Sequence, residues 1–201
     1  MARRLAGLPG VARLGLSALA GFLYGLIVSR IPAPADPLGL SAAYFVAPWI
    51  ALPFLAGWLH RSVSWAAAAG VLTAVLCMFG FYLNAFPEYH PAYIALKESA
   101  SGIALVLGSA VLWVTVNAIW YVVAVMAGIV FGLLGRWRRV TGSPVPLVVI
   151  ATLFVLEPLA SALLGGYLPR PYVVWVLEIL AGLALLVWAV IGHRRSQVSP
   201  A

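Results

Sequence analysis

Of the 201 residues, five are acidic and twelve are basic, and two of the acids stand where charge is hardest to tolerate. Glu157 and Glu178 interrupt apolar stretches, VIATLFVLEPLASALLGG and YVVWVLEILAGLALLVW. A carboxyl group in hydrocarbon costs several kcal/mol unless it is paired, hydrated or protonated. Glu157 precedes Gly165-Gly166 by about eight residues, and Glu178 follows Pro171 by seven. At a rise of 1.5 Å per residue, both fall about 10–12 Å below the same end of two consecutive helices. Two carboxylates at one level can hold a cation, a proton or a small polar solute, and if close enough they share a proton. Their plainer use is hydrogen bonding to neighbouring helices. Pro158 directly follows Glu157 and removes a backbone donor one turn from Phe154, which either opens the helix beside the acid or merely kinks it.

Other polar groups are expected at the same membrane face. Arg30 ends one apolar run, Tyr44 begins the next, Tyr82 and Asn84 end a third, and Asn117 lies early in a fourth. With Glu157 and Glu178 they could line an apolar cavity with a few polar anchors. Trp49, Trp58 and Trp175 serve either as ligand contacts or, more commonly in such chains, as interface anchors. Asp36, Glu88 and Glu98 read as solvated loop charges. Glu88 and His90, two residues apart in a proline-bounded loop, are a weak metal pair, so no metal and no cofactor are expected. No HExxH, CxxC, phosphate-binding glycine loop or nucleophile elbow occurs. Cys77 stands alone and cannot pair within the chain; it reads as a small buried hydrophobe.

The elements that must carry these residues follow from composition. Hydrophobic side chains make up 64% of the chain and charged ones 8%, against about 25% charged in globular proteins. That leaves too little polar surface for a water-exposed globule and far too much apolar residue for disorder. The expected fold is an all-α polytopic transmembrane bundle forming one domain, 1–201. Runs near 20 apolar residues, the length of one crossing, fall at about 14–30, 41–59, 62–83, 113–135, 145–164 and 172–192. Prolines 32, 34 and 37 end the first, and the stretch 102–135 is the hard one: 34 uncharged residues, with Asn117 as its main interruption. Counting it as one crossing puts nine basic residues inside and three outside, whereas two crossings reverse the balance to five against seven. Six spans with both termini cytoplasmic are therefore expected, with an outer-face helical segment before the fourth. The net charge of +7 then reads as topology and lipid-headgroup contact, with nucleic acid excluded as a partner. The first run could instead be a signal peptide ending near Ala33-Pro34-Ala35. Against that, Ser17, Gly21 and Gly25 form a small-residue stripe suited to close helix approach, as do Gly128 and Gly132. These two stripes are the expected docking faces for a membrane partner or a second copy, alongside the lipid bilayer itself.

Four short patterns carry a resemblance: Phe79-Gly80-Phe81-Tyr82-Leu83, the run Gly128-Ile129-Val130-Phe131-Gly132-Leu133-Leu134-Gly135, Glu157, and Tyr172, Trp175, Glu178 and Gly182 in the last run. Through them the chain resembles an uncharacterised family of small bacterial six-helix membrane proteins. The resemblance implies a multi-pass protein of the bacterial plasma membrane and supplies no activity. In size, helix number and the small-residue stripe of its first helix, the chain is also similar to the substrate-binding subunits of energy-coupling-factor vitamin transporters. Three functions follow from these readings. The first is binding or transport of a small solute or cation around Glu157 and Glu178, with Tyr82, Asn84, Asn117 and Arg30 nearby. The second is a membrane-embedded enzyme using one carboxylic acid as general acid on a lipid or isoprenoid. The third is a non-catalytic assembly partner.

Overall fold

The computed structural model describes residues 9–30, 46–85, 91–164 and 172–198, and these form eight helices with no strand among the described residues. In chain order they are α1 Gly10–Arg30, α2 Val46–Trp58, α3 Val63–Ala85, α4 Pro91–Ser99, α5 Gly102–Val116, α6 Ala118–Thr141, α7 Val145–Leu164 and α8 Tyr172–Val198. Four of them contain stretches long and apolar enough to cross a bilayer: Gly10–Ser29, Val63–Leu83, Ala118–Thr141 and Tyr172–Ile191. Shorter apolar stretches occupy α2, α5 and α7. Large apolar side chains point outward all along these helices, among them Val122, Met126 and Val130 on α6 and Val176, Leu180 and Val187 on α8. Water would penalise so continuous an apolar exterior, and lipid would not. The chain is an integral membrane protein by that measure.

Small residues set the packing, because helices in lipid gain by dispersion and close approach rather than by hiding from water. Helix α3 is the axis, packed by α1 on one side and by α6 on another, with α2 bridging α3 and α6. Gly21 and Gly25 of α1 lie directly on the backbone of Thr73 and Cys77 of α3, and Gly80 of α3 lies on Phe22. On the other side, Gly70 meets Gly128 and Gly132, Gly57 of α2 meets Gly132, and Gly135 meets Phe54 and Trp58. Both small-residue stripes expected to dock a partner are thus taken up inside the chain: Ser17, Gly21 and Gly25 by α3, Gly128 and Gly132 by α2 and α3. The buried hydroxyls bond back to their own helices, Ser17 to the Arg13 carbonyl at 2.9 Å and Thr73 to that of Ala69 at 2.7 Å. That satisfies both hydroxyls within their own helices.

The stretch 102–135 divides where its one amide stands. Asn117 closes α5 and opens α6, at φ −104° and ψ 19°, and its side-chain Nδ2 donates to the Trp113 carbonyl at 3.0 Å. The long helix therefore begins at Ala118 rather than near 113, and it ends at Thr141 rather than at 135. Arginines do not stop a helix; their stems lie along it while their heads reach the interface. The stop is Gly142, left-handed at φ 68°, whose N–H caps the Arg138 carbonyl at 3.0 Å. Ser143, Pro144 and Pro146 then open α7. Helices α7 and α8 form a hairpin whose inner side meets α2 and α6 through Phe54, Leu147, Ile150, Phe154 and Ala189.

Candidate functional site

Glu178 is 1% exposed, on the stripe of α8 that also buries Val174, Trp175 and Ala189. Gly182, one turn further on, packs directly on Ala151, Phe154 and Val155 of α7. In an antiparallel pair that register sets Glu178 level with Glu157. Glu157 follows Phe154 by three residues, so it stands at the flank of the contact stripe, and it is half-buried. Pro158 is buried beside it inside α7. The Glu178 carboxylate also lies within electrostatic reach of the Tyr24 hydroxyl on α1.

An aromatic chain leads away from this point. Tyr24 meets Trp49 edge-on at 5.9 Å, Trp49 meets Phe81 at 5.5 Å, Phe81 meets Tyr82 at 5.4 Å, and Tyr82 lies 6.4 Å from Tyr121. The first three contacts are edge-to-face and each adds about 0.5–1.5 kcal/mol beyond burial, and the tilted Tyr82–Tyr121 pair extends the chain to α6. Tyr82 is therefore tied to Tyr24 and, through it, to the level of Glu178. Asn117 belongs to the helix break, where its amide is engaged with Trp113. Arg30 and Asn84 lie near the ends of α1 and α3, and their side chains are outside the described residues, as are Tyr44, Asp36, Glu88 and His90. Trp175 is buried against Tyr172 at 5.8 Å, and its indole N–H has no hydrogen-bond partner among the described residues. Trp58 lies at the other end of the bundle.

That other end holds a site the sequence reading missed. The last turn of a helix leaves carbonyls without partners, and at the end of α2 arginines from two other helices supply the donors. Arg13 of α1 donates to the Leu59 carbonyl, and Arg139 of α6 to that of Trp58 at 3.0 Å. Arg136 holds the Arg61 carbonyl at 2.6 Å, and Arg138 reaches the Gly142 and Ser143 carbonyls. His60, at the centre, is 2% exposed and stacks on Trp65 at 6.0 Å and 9°. Burial, with the positive charges of Arg13 and Arg139 beside it, lowers the His60 pKa and keeps the imidazole neutral. The signal was present in the sequence: basic residues at the ends of three apolar runs, His60-Arg61 among them. It was absorbed wholly into topology.

Two cavities adjoin these arginines. One, of about 760 Å³, runs between α2, α6, α7 and α8 along Phe54, Trp58, Ile150, Leu185 and Trp188. The other, of about 620 Å³, is bounded by Arg13, His60, Ser62 and Trp65. Arg61 and Arg139 line both. Compared with known proteins, the chain matches no family model, no curated protein and no solved structure.

Proposed function

We propose that the chain is a multi-pass protein of a bacterial plasma membrane that binds, and carries, a cation or small polar solute at Glu178, with Glu157 as the second carboxylate. The supporting observation is the placement of Glu178: an ionisable group 1% exposed, on the packed face of an apolar helix, level with a second acid on the neighbouring helix. An acid in that position is neutral with its proton or anionic with a bound cation, and exchange between the two states is the elementary step of proton- or cation-coupled binding. Glu157 at the same level is the second carboxylate available to the bound species. Tyr24, within electrostatic reach of Glu178, begins the ring chain that runs through Trp49 and Phe81 to Tyr82 and Tyr121. The arginine end faces the cytoplasm by the positive-inside rule, which sets the carboxylates in the outer half.

The test is ligand-dependent stability of the purified protein against Na⁺, K⁺ and small organic cations at constant ionic strength. A ligand at a hundred times its Kd adds about 2.7 kcal/mol, so one of these should raise Tm by several degrees. Glu178→Gln should abolish that response, and Glu157→Gln should weaken it and change its pH dependence. If both variants respond as the parent does and differ from it in Tm alone, the acids are interhelical fasteners.

A further inference from the structure

We propose that the arginine end is a binding site for one anionic phospholipid, its phosphate among Arg13, His60, Arg61 and Arg139 and an acyl chain in the apolar cavity between α2, α6, α7 and α8. This site is separate from the carboxylate pair and does not depend on it.

Arg13 and Arg139 are each engaged with a carbonyl, yet their Nε atoms are buried with no hydrogen-bond partner among the described residues, and so is His60 Nε2. The residues that carry them line, with Arg61, one polar compartment of about 620 Å³. Leaving such donors unmet costs about 1–3 kcal/mol each, and more when charged. Three guanidinium groups around one compartment call for an anion with several oxygens, and phosphate is the group whose geometry suits their forks. Arg61 completes the set. Its side chain is exposed and makes no hydrogen bond among the described residues, while its backbone carbonyl is held by Arg136. Its backbone is fixed and its head is uncommitted.

The neighbouring cavity, between α2, α6, α7 and α8, is apolar. At about 760 Å³ it lies within the roughly 300–1,000 Å³ of ordinary ligand sites. Beyond Arg61, Arg138 and Arg139 its walls are Phe54, Leu55, Trp58, Leu147, Ile150 and Phe154, all apolar or aromatic. A free phosphate would fill the polar compartment and leave this hollow empty, and a neutral lipid would fill the hollow and bring no charge to the arginines of the compartment. Only a molecule with an anionic head joined to a hydrocarbon tail answers both, and Arg61 and Arg139 stand at the junction.

The experiment reconstitutes the full chain in nanodiscs of phosphatidylcholine with graded phosphatidylglycerol and reads retained lipid by native mass spectrometry after detergent release. One phosphatidylglycerol per chain is expected to stay bound, with phosphatidylcholine lost. Arg61→Ala should lower that occupancy roughly tenfold, the weight of one charged hydrogen bond, with Tm in neutral detergent unchanged. Ala51→Phe, which fills the apolar cavity from α2, should lower it without touching a charge. Inorganic phosphate is run beside the lipid in a thermal-shift series and should stabilise far less. Equal retention of phosphatidylcholine, undiminished phosphatidylglycerol in Arg61→Ala, or stabilisation by phosphate equal to that by lipid would each overturn the proposal.

Discussion

Two glycines of α1, ten residues apart, provide a matched test of the packing on which both sites rest. A Cβ at Gly15 would meet nothing within 4 Å, whereas one at Gly25 would overlap the Cys77 carbonyl and lie 2.8 Å from the Phe81 amide nitrogen. Alanine at either position gains the same intrinsic helix preference, about 0.5–1 kcal/mol. At Gly15 that gain should appear as a small rise in stability. At Gly25 the atoms in the way are backbone, so no rotamer change clears them and α1 must move from α3 by on the order of 1 Å. Overpacking of this kind costs about 1–3 kcal/mol and occasionally more. The intrinsic gain is common to both, so the two variants should differ by the overpacking cost alone, about 1–3 kcal/mol, or roughly five- to 150-fold in the folding equilibrium. For a chain of this length that is about 2–12 °C in Tm. The assay is thermal unfolding of both variants in one detergent, followed by near-ultraviolet circular dichroism from the tryptophans. Equal midpoints for Gly25→Ala and Gly15→Ala would refute the α1–α3 contact.

Two further outcomes concern the arginine end. His60 holds its pKa below the ordinary 6.5, so between that value and its lower folded value the unfolded chain binds a proton that the folded chain resists. Stability from this residue is complete above pH 6.5 and declines as pH falls below it; the fall in Tm between pH 7 and 5 should be smaller in His60→Gln than in the parent, and identical slopes would contradict the burial described. Gly142 has φ 68° with open space around its Cα, so Gly142→Ala meets strain alone. Its cost should be about 1–2 kcal/mol, with Gly142→Asn milder because asparagine tolerates the left-handed region; a neutral alanine would mean that α6 does not stop there.

What could be read from the chain was whatever depends on one helix at a time. Apolar length gave the class, proline and glycine gave several helix ends, and counting from Gly165 and Pro171 gave Glu157 and Glu178 a common level. Azimuth was partly legible too, since the spacing of Ser17, Gly21 and Gly25 marks one face of α1. The identity of the neighbour on that face was not. A small-residue stripe records that something approaches closely, and α3 of the same chain satisfies it as well as a separate protein would. The end of α6 was misplaced because Arg136, Arg138 and Arg139 were treated as a boundary, although arginine is a good helix former whose long stem suits an interface. The division at Asn117 was visible only as an interruption. Whether a lone asparagine caps a helix or lines a cavity depends on where its amide turns, and here it turns back to Trp113.

The separation of charge along the bundle bears on both proposals. Glu157 lies thirteen residues beyond Pro144 on α7, about 20 Å along the helix from the arginine end. Glu178 shares its level. Neither acid can neutralise Arg13, Arg61 or Arg139 at that distance in any effective way. Backbone carbonyls at the end of α2 accept hydrogen bonds from the arginines, but they are dipoles and cancel no net charge. Among the described residues no acid lies beside the arginines, and the anions present at the depth of a helix end are lipid headgroups, which the proposed site would recruit as counter-charge. The carboxylates are likewise remote from the arginines, so the proposed exchange of protons or cations at their level would proceed without influence from the basic end. One bundle thereby keeps two ionic environments apart, and a variant that empties one of them should leave the ligand response of the other unaltered.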